Sequence, residues 1–146
     1  MEEKYIKIII DEAKKASKHD EVPVGAIIVK KNKIISKAHN IVEKKKNSIL
    51  HAEIVAISKA SRKLKNWRLN DCEMYVTLEP CEMCKSAIKL CRIKKVYYLL
   101  KKDKKNNNKT SYVFLNKYKN DSLKLLQQFF KEKRWIIQCF TWNIVF

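Results

Sequence analysis

Two cysteines in the stretch TLEPCEMCKSA, residues 77–87, have the spacing of a metal-binding pair. Cys81 and Cys84 directly follow a proline and an apolar run that is typical of a strand. In the first turn of a helix, this three-residue offset puts both sulfurs on one side, and the helix N-terminus favours thiolates. Two thiolates on one turn are half of a tetrahedral zinc site. A CxxC pair alone is also typical of redox pairs and zinc-ribbon halves, and it occurs by chance.

The stretch HAE, residues 51–53, contains candidates for the missing half. His51 would add an imidazole, so that His51, Cys81 and Cys84 hold one Zn2+ per chain and leave the fourth position to water, as catalytic zinc sites do. The ion would lower the pKa of that water to about 7 and make it a nucleophile. Glu53 lies two residues from His51 and could move the proton of the water to a leaving group without binding the metal.

Each of these residues also has an ordinary structural interpretation. A single His at a helix start is more often a cap or a packing residue, and Glu in a first turn is a common partner of the helix dipole. The combination is much rarer. HxE is followed after about thirty residues by PCxxC, each at a predicted strand-to-helix junction, and this is the signature of zinc deaminases. The pattern therefore favours a catalytic zinc site.

The elements that position these motifs follow from the hydrophobic pattern. Helices are predicted over Tyr5–Lys18, over Ala52–Leu64, from Pro80 in the first helical position to about Leu90, and over Ser122–Lys133 with Asp121 or Ser122 as the cap. Strands are predicted over Val24–Val29, Lys33–His39, Met74–Leu78, Val96–Leu100 and Ser111–Tyr118, and a polar loop over Ile41–Ser48. Strands that alternate with helices after a hairpin predict an α/β fold, a three-layer α/β/α sandwich with a mixed central sheet of about five strands.

The chain length fits one domain that can bury a core without disulfides. Residues 1–134 are assigned to the zinc-dependent domain, and residues 135–146, WIIQCFTWNIVF, to a hydrophobic tail. We expect the tail to pack on the body, with a dimer contact or a sticky end as alternatives. There is no disulfide framework, no signal-peptide pattern and no apolar run near the roughly 20 residues that cross a bilayer. We therefore expect a soluble, cytoplasmic protein with reduced thiols, in which Cys72 and Cys91 belong to the core.

The formal charge of +18 is compatible with a phosphate-rich partner, whose binding would depend on salt. The basic residues are 29 lysines and only four arginines, and Ile and Asn are also abundant. All three abundant types have A/T-rich codons, so a base bias of the genome would produce the same composition. Arg, whose planar fork suits phosphate, would be more frequent in many proteins selected for nucleic acid. Both interpretations stay open, and the charge is used only as support.

The sequence resembles the cytidine and deoxycytidylate deaminase superfamily and, within it, the bacterial tRNA-specific adenosine deaminases. HAE and PCxxC are the superfamily motifs, whereas EVPVGA, Asn40 and the wording YVTLEPCxMC are similar to the tRNA branch. The similarity covers about residues 1–100 well and the last predicted helix weakly. The matching stretches are DEVPVGAIIV (20–29), AHN (38–40), HAEIVAI (51–57), NWRL (66–69), YVTLEPCEMC (75–84) and, more loosely, RIKKVYY (92–98).

This resemblance implies a site and a substrate. His51, Cys81 and Cys84 would bind zinc, Glu53 would shuttle protons, and Asn40 and the Ala52 backbone N–H would hydrogen-bond the purine. The implied reaction is hydrolytic deamination of the wobble adenosine to inosine in a tRNA anticodon stem-loop, with the base splayed into the pocket. Members of this branch are homodimers in which both subunits touch the RNA. Asn40 also has an alternative role as a strand-end turn residue.

Alternatives and departures accompany the resemblance. The same zinc site would serve a deaminase of free guanine, cytosine or deoxycytidylate, and a zinc-stabilised RNA-binding module without catalysis is a third possibility, although such a module would not need Glu53. Residues 101–110, KKDKKNNNKT, replace a Gly-containing segment and an extra helix of the family. After the second cysteine, Lys85 and Ser86 stand where relatives have small residues, and we expect Lys85 to point to solvent.

Overall fold

The computed structural model describes residues 2–101 and 110–137, the last four of these by their backbone only. The helices are α1 (Glu2–Lys18), α2 (Val42–Lys45), α3 (Ala52–Leu64), α4 (Glu82–Leu90) and α5 (Lys119–Ile137), with a short 3₁₀ helix at Asn116–Tyr118. The strands are β1 (Gly25–Lys30), β2 (Lys33–His39), β3 (Cys72–Leu78), β4 (Lys95–Leu100) and β5 (Ser111–Phe114). Cys139 and the rest of the predicted tail beyond residue 137 lie outside the described residues, so the division at residue 134 stays a prediction.

The five strands form one mixed sheet in the order β2-β1-β3-β4-β5. β1 pairs antiparallel with β2 and with β3, whereas β3, β4 and β5 run parallel to one another. Parallel neighbours need a crossover connection, and α4 supplies it between β3 and β4. The carboxyl end of β3 therefore leads directly into α4, which carries the cysteine pair.

Helices cover both faces of the sheet, which confirms the predicted three-layer α/β/α sandwich. One core lies between the sheet and helices α3 and α4, and includes Ala26, Ile28, Val76, Ala56 and Ile88. The other lies between the sheet and helices α1 and α5, and includes Ile9, Ile27, Tyr75, Leu99 and Leu125. β1 contributes to both because alternate residues of a strand point to opposite faces. Cys72 and Cys91 are buried in the first core, as expected.

Gly25 lies where the backbone of α1 passes very close to β1. A Cβ at this position would lie 2.0 Å from the carbonyl oxygen of Ile9 and 2.8 Å from the backbone nitrogen of Ala13. Its own N–H donates to Oγ1 of Thr77 on β3 over 3.1 Å. Glycine at this point lets α1 lie directly on the start of β1, close to the strand ends that carry the site.

The starts of two helices differ from the prediction. α4 begins at Glu82 with Cys81 as its N-cap, so Pro80 precedes the helix and is not in its first position. α5 begins at Lys119, so neither Asp121 nor Ser122 is its N-cap. The hydroxyl of Ser122 instead donates to the carbonyl oxygen of Thr77 over 2.9 Å and ties α5 to the end of β3.

One predicted strand is shorter than expected, and the predicted polar loop contains a short helix. The strand predicted over Ser111–Tyr118 ends at Phe114, because the Leu115 N–H makes the last bond to Tyr98 and the chain then turns into the 3₁₀ helix. The polar loop contains α2, whose first amides donate to the buried carboxylate of Glu21. Among the described residues no helix has the length and apolar character needed to cross a bilayer.

Candidate metal centre and adjacent groove

The side chains of His51, Cys81 and Cys84 meet at the N-termini of two neighbouring helices. His51 is the N-cap residue of α3 and Cys81 is the N-cap residue of α4, and neither makes a side-chain capping hydrogen bond. Both backbones are extended at the cap, with ψ of 157° and 170°. Their side chains are therefore available for another partner, and the positive ends of both helix dipoles point to the same place.

The distances among these atoms fit a tetrahedral metal site. Nδ1 of His51 lies 3.6 Å from Sγ of Cys81 and 3.5 Å from Sγ of Cys84. With zinc–sulfur bonds of about 2.3 Å and zinc–nitrogen bonds of about 2.05 Å, tetrahedral geometry separates N and S ligands by about 3.6 Å. Within the described part of the chain, this trio is the group of His, Cys and acidic residues that can hold a metal ion. The donor set therefore fits zinc.

A hydrogen bond between the two cysteines shifts their pKa values in opposite directions. The hydrogen bond from Cys84 lowers the pKa of Cys81 to about 4, and the neighbouring His51 acts in the same direction. The same contact, followed by burial, raises the pKa of Cys84 well above its ordinary value. A divalent cation at this point would deprotonate both thiols and neutralise them.

Glu53 is buried beside the thiols. It lies in the first turn of α3, its carboxyl group is within hydrogen-bond reach of the Cys84 thiol, and the residue is only 4% exposed. Glu53 does not belong to the trio of possible metal ligands. This position beside a metal site, without ligation, is what a proton-transferring carboxylate needs.

Asn40 and Ala52, the two predicted substrate-binding residues, are in direct contact. Oδ1 of Asn40 accepts the Ala52 N–H over 2.7 Å, and Nδ2 donates to the carbonyl oxygen of Val22 over 3.1 Å. The Asn40 amide keeps a second hydrogen and a second lone pair, so it can bind a ligand without losing either bond. The Ala52 N–H has one hydrogen and already donates it to Asn40. Their predicted contacts to a purine stay predictions.

A groove of about 770 Å3 opens next to His51 and Asn40. Its walls combine three lysines, an aromatic pair and the loop that contains Glu21. The aromatic pair is Phe129 and Phe130 of α5, whose rings meet edge to face at 5.2 Å. The lysines that line the groove are Lys44, Lys46 and Lys133. The same lining contains the carboxylates of Asp20, Glu21 and Glu43, so a ligand in this groove meets aromatic rings and charges of both signs.

The groove and its supports were not identified from the sequence. The FF pair in the last helix was visible, but nothing local indicated that α5 folds back towards the strand ends. Glu21 is 2% exposed and accepts the N–H groups of Glu43 and Lys44 over 3.1 and 2.7 Å. These bonds join segments 22 and 23 positions apart, so only the folded chain shows that Glu21 orders the wall.

Lys85 does not point to solvent, and that expectation is wrong. Its side chain is 7% exposed, and Nζ lies 3.5 Å from Oε1 of Glu79, which is itself 4% exposed. Nζ also lies 5.7 Å above the ring of Tyr112 on β5. A lysine directly after the second cysteine was the available sequence signal, but its buried acidic partner lies six residues earlier, on the other side of the cysteine pair.

The comparison with known proteins agrees with this geometry. Residues 1–100 match the family model of the cytidine and deoxycytidylate deaminase zinc-binding region. The chain belongs to this family. A deaminase-family domain with a zinc-binding region therefore occupies most of the chain, and its three candidate ligands are those that the structure brings together.

Relatives of this deaminase-family chain include proteins named tRNA-specific adenosine deaminase. The protein from Aquifex aeolicus (strain VF5) is 54% identical over 96 residues, which are 66% of this chain and 64% of the relative. The protein from Buchnera aphidicola subsp. Schizaphis graminum (strain Sg) is 40% identical over 142 residues, covering 89% of this chain and 94% of the relative. The match to the Aquifex protein spans slightly less than two thirds of that relative's own length.

Solved structures of two types of deaminase have folds similar to that of this chain. One, from studies of A-to-I editing by tRNA:A34 deaminases at the wobble position, has a TM-score of 0.68 and 36% identity, and the match covers 69% of this chain and 78% of that one. The other, guanine deaminase from Bacillus subtilis, has a TM-score of 0.65 and also 36% identity, with 68% and 64% coverage. The predicted fold class is confirmed, and both types use the same architecture.

Proposed function

We propose that this chain is a zinc-dependent hydrolase that converts adenosine to inosine at the wobble position of a tRNA anticodon loop. The observation that carries the proposal is the His51–Cys81–Cys84 trio with N···S distances of 3.5 and 3.6 Å, which matches a three-ligand zinc site. The relatives with the highest identity cited above are named tRNA-specific adenosine deaminase, which supports adenosine in tRNA as the substrate.

Each residue of the site has a defined task in this proposal. His51, Cys81 and Cys84 hold the ion, which when bound lowers the pKa of a water molecule and so supplies a nucleophile at neutral pH. Glu53 accepts the proton of the water and returns it to the departing amino group. In the overall reaction the bond from adenine C6 to its amino nitrogen breaks, a bond from C6 to oxygen forms, and ammonia leaves. Asn40, next to the Ala52 N–H, orients the purine.

The groove beside the site supports an RNA substrate. A free base fills little of a space of about 770 Å3, whereas a splayed loop also has flanking bases and phosphates to place. The half-buried Phe130 offers ring surface to bases, and Lys44, Lys46 and Lys133 offer positive charge to phosphates. We further propose that the protein acts as a homodimer on the anticodon stem-loop, in the cytoplasm.

Deamination of free guanine is the second candidate function. The Bacillus subtilis guanine deaminase is as similar in sequence as the editing-enzyme structure, at 36% identity each. The metal ligands and Glu53 do not separate the two reactions, because both need water activation and proton transfer. The groove beside the site and the name of the 142-residue match, tRNA-specific adenosine deaminase, favour RNA over free guanine as the substrate.

A single set of assays tests the proposal. The purified protein is analysed for zinc per chain and incubated with an ACG-anticodon stem-loop, free adenosine, free guanine, cytosine and deoxycytidylate. We expect about one zinc per chain, inosine in the stem-loop at the wobble position, and turnover of the free compounds slower by at least about a hundredfold.

The controls separate the alternatives. Removal of the metal with a chelator should abolish inosine formation, and added Zn2+ should restore it. Faster turnover of guanine than of the stem-loop would replace the proposal with the guanine reaction. Tight stem-loop binding with one zinc and no inosine would favour a non-catalytic RNA-binding module.

A further inference from the structure

Glu79 and Lys85 form a buried ion pair, and the turn with the two cysteines lies between them in the sequence. Glu79 lies two residues before Cys81, and Lys85 directly follows Cys84, so the two charges sit on either side of the segment that carries both sulfurs. Nζ of Lys85 and Oε1 of Glu79 are 3.5 Å apart, and the side chains are 7% and 4% exposed. Charges are rarely buried to this degree unless they are paired, because water solvates them better than protein does.

The backbones of the same two residues are anchored to different elements. The Glu79 N–H donates to the carbonyl oxygen of Leu100 over 2.8 Å, which fixes Glu79 to the end of β4. The Lys85 N–H donates to the carbonyl oxygen of Cys81 over 2.8 Å, which closes the first turn of α4. The ion pair therefore joins the sheet to the helix turn and spans both cysteines.

Other groups hold the Lys85 ammonium in place. The Glu82 carboxylate lies 3.7 Å away but is exposed, and the ring of Tyr112 lies 5.7 Å from Nζ, at cation–π distance. Burial raises the pKa of Tyr112 to about 12, so the ring is neutral at ordinary pH. Glu79 thus provides the buried negative charge that balances Lys85.

We infer that Lys85 is a positioning residue for the metal ligands and acts through its ion pair with Glu79. The pair is electrically neutral as a unit, so it adds no net charge beside the two sulfurs, which become negative when they bind a metal. If Lys85 loses its charge, the Glu79 carboxylate stays buried without this countercharge, so the turn that carries both sulfurs must shift to let water reach it. If Glu79 loses its charge, the exposed Glu82 carboxylate is the carboxylate still close to the buried Lys85 ammonium, so the same turn must shift to hydrate that ammonium. This inference rests on the metal site proposed above.

The test measures metal affinity and ligand geometry directly. Zinc affinity is determined by competition with a chromophoric chelator, and the visible absorption of the Co2+-substituted protein reports the coordination geometry. We expect Lys85→Met and Glu79→Gln each to weaken zinc binding by about tenfold or more and to change the Co2+ spectrum. Since both remove the same interaction, the double variant should lose about tenfold, far less than the hundredfold product.

Lys89→Met is the matched control, because Lys89 is an exposed lysine on the same helix. It should bind zinc as the unmodified protein does. If Lys85→Met does not fold, the zinc affinity of Glu79→Asp is measured instead. This variant keeps both charges but moves the carboxylate away from Nζ of Lys85. A tenfold loss in Glu79→Asp supports the inference, and an unchanged affinity overturns it.

The remaining outcomes are distinct from a failure of the proposed function. Unchanged zinc affinity in both single variants, or losses that multiply in the double variant, would overturn the role of the ion pair while leaving the metal site intact. Absence of zinc binding by the unmodified protein would instead overturn the metal site, and this inference with it.

Discussion

At the scale of single residues, two of the candidate metal ligands occupy helix N-cap positions. His51 and Cys81 each occupy an N-cap position without bonding the helix amides through their side chains. Nδ1 of His51 instead lies 3.6 Å from Sγ of Cys81 and 3.5 Å from Sγ of Cys84. The dipoles of the two helices then stabilise negative charge at the same point. The candidate ligand atoms therefore already have the spacing that a bound zinc ion needs.

Glu53→Gln separates proton transfer from metal binding. Gln keeps the size of the side chain and cannot carry a proton as a carboxylate does, so inosine formation should fall at least about a hundredfold. Zinc per chain should stay at the level of the unmodified protein, because Glu53 is not among the possible ligands. Glu2→Gln, which changes an exposed carboxylate of α1, serves as the control and should keep full activity. Activity of the Glu53→Gln variant above a tenth of normal would remove Glu53 from the mechanism.

At the scale of elements, the site depends on how closely helices lie on the strand ends. Gly25 allows α1 to rest on β1, its N–H bonds Thr77, and Thr77 accepts the Ser122 hydroxyl of α5. These contacts connect both helices of one face to the end of β3. The turn with Cys81 follows only a few residues later, so a displaced helix would disturb the groove and the site together.

Gly25→Ala tests this close packing. The added methyl group would lie 2.0 Å from the Ile9 carbonyl oxygen and 2.8 Å from the Ala13 nitrogen, so backbone must move. We expect the free energy of unfolding to fall by about 3 kcal/mol, at the upper end of overpacking effects, as measured by chemical denaturation. The exposed Ser58→Ala on α3 should change it by less than about 0.5 kcal/mol. An unchanged denaturation midpoint for Gly25→Ala would contradict the contact.

At the scale of the whole molecule, the open question is whether the charge of +18 has a function. Lysines are spread over the chain, but Lys44, Lys46 and Lys133 line the groove next to His51. Lys133 is also 3.0 Å from the Asp20 carboxylate, so some of the positive charge is already paired. Phosphate binding releases counterions from RNA, and the salt dependence of binding reports how many lysines take part.

The salt dependence of stem-loop binding distinguishes groove lysines from general charge. For three phosphate contacts to single-stranded RNA, affinity should fall at least about tenfold between 50 and 200 mM salt. Replacing Lys44, Lys46 and Lys133 by Gln should reduce the slope of log affinity against log salt by about two. The same change at exposed lysines of α1 gives an equal loss of charge and should leave the slope nearly unchanged; these residues are Lys4, Lys7 and Lys14. Equal effects of both triple variants, or no salt dependence, would favour composition bias as the origin of the charge.

Local patterns predicted most of the fold and the centre of the site. The helix Ala52–Leu64 and the strand Lys33–His39 were predicted with the observed bounds, since their apolar spacing is regular and their ends carry clear signals. The errors fall at Pro80, at the start of α5 and in the loop that contains α2. In the loop that contains α2, the amides of Glu43 and Lys44 donate to the carboxylate of Glu21, more than twenty positions earlier, and a local pattern does not indicate such a bond.

The sequence alone determined the family, the layered α/β architecture and the three candidate metal ligands with Glu53, because motif spacing and hydrophobic periodicity are local properties that survive without coordinates. Only the tertiary structure decided the burial of Lys85 against Glu79, the contact between Asn40 and Ala52, and the groove that α5 completes. Burial and electrostatic pairing depend on what lies across the fold. Lys85, which the sequence predicts to be a surface residue, is therefore a buried charge next to the candidate metal ligand Cys84.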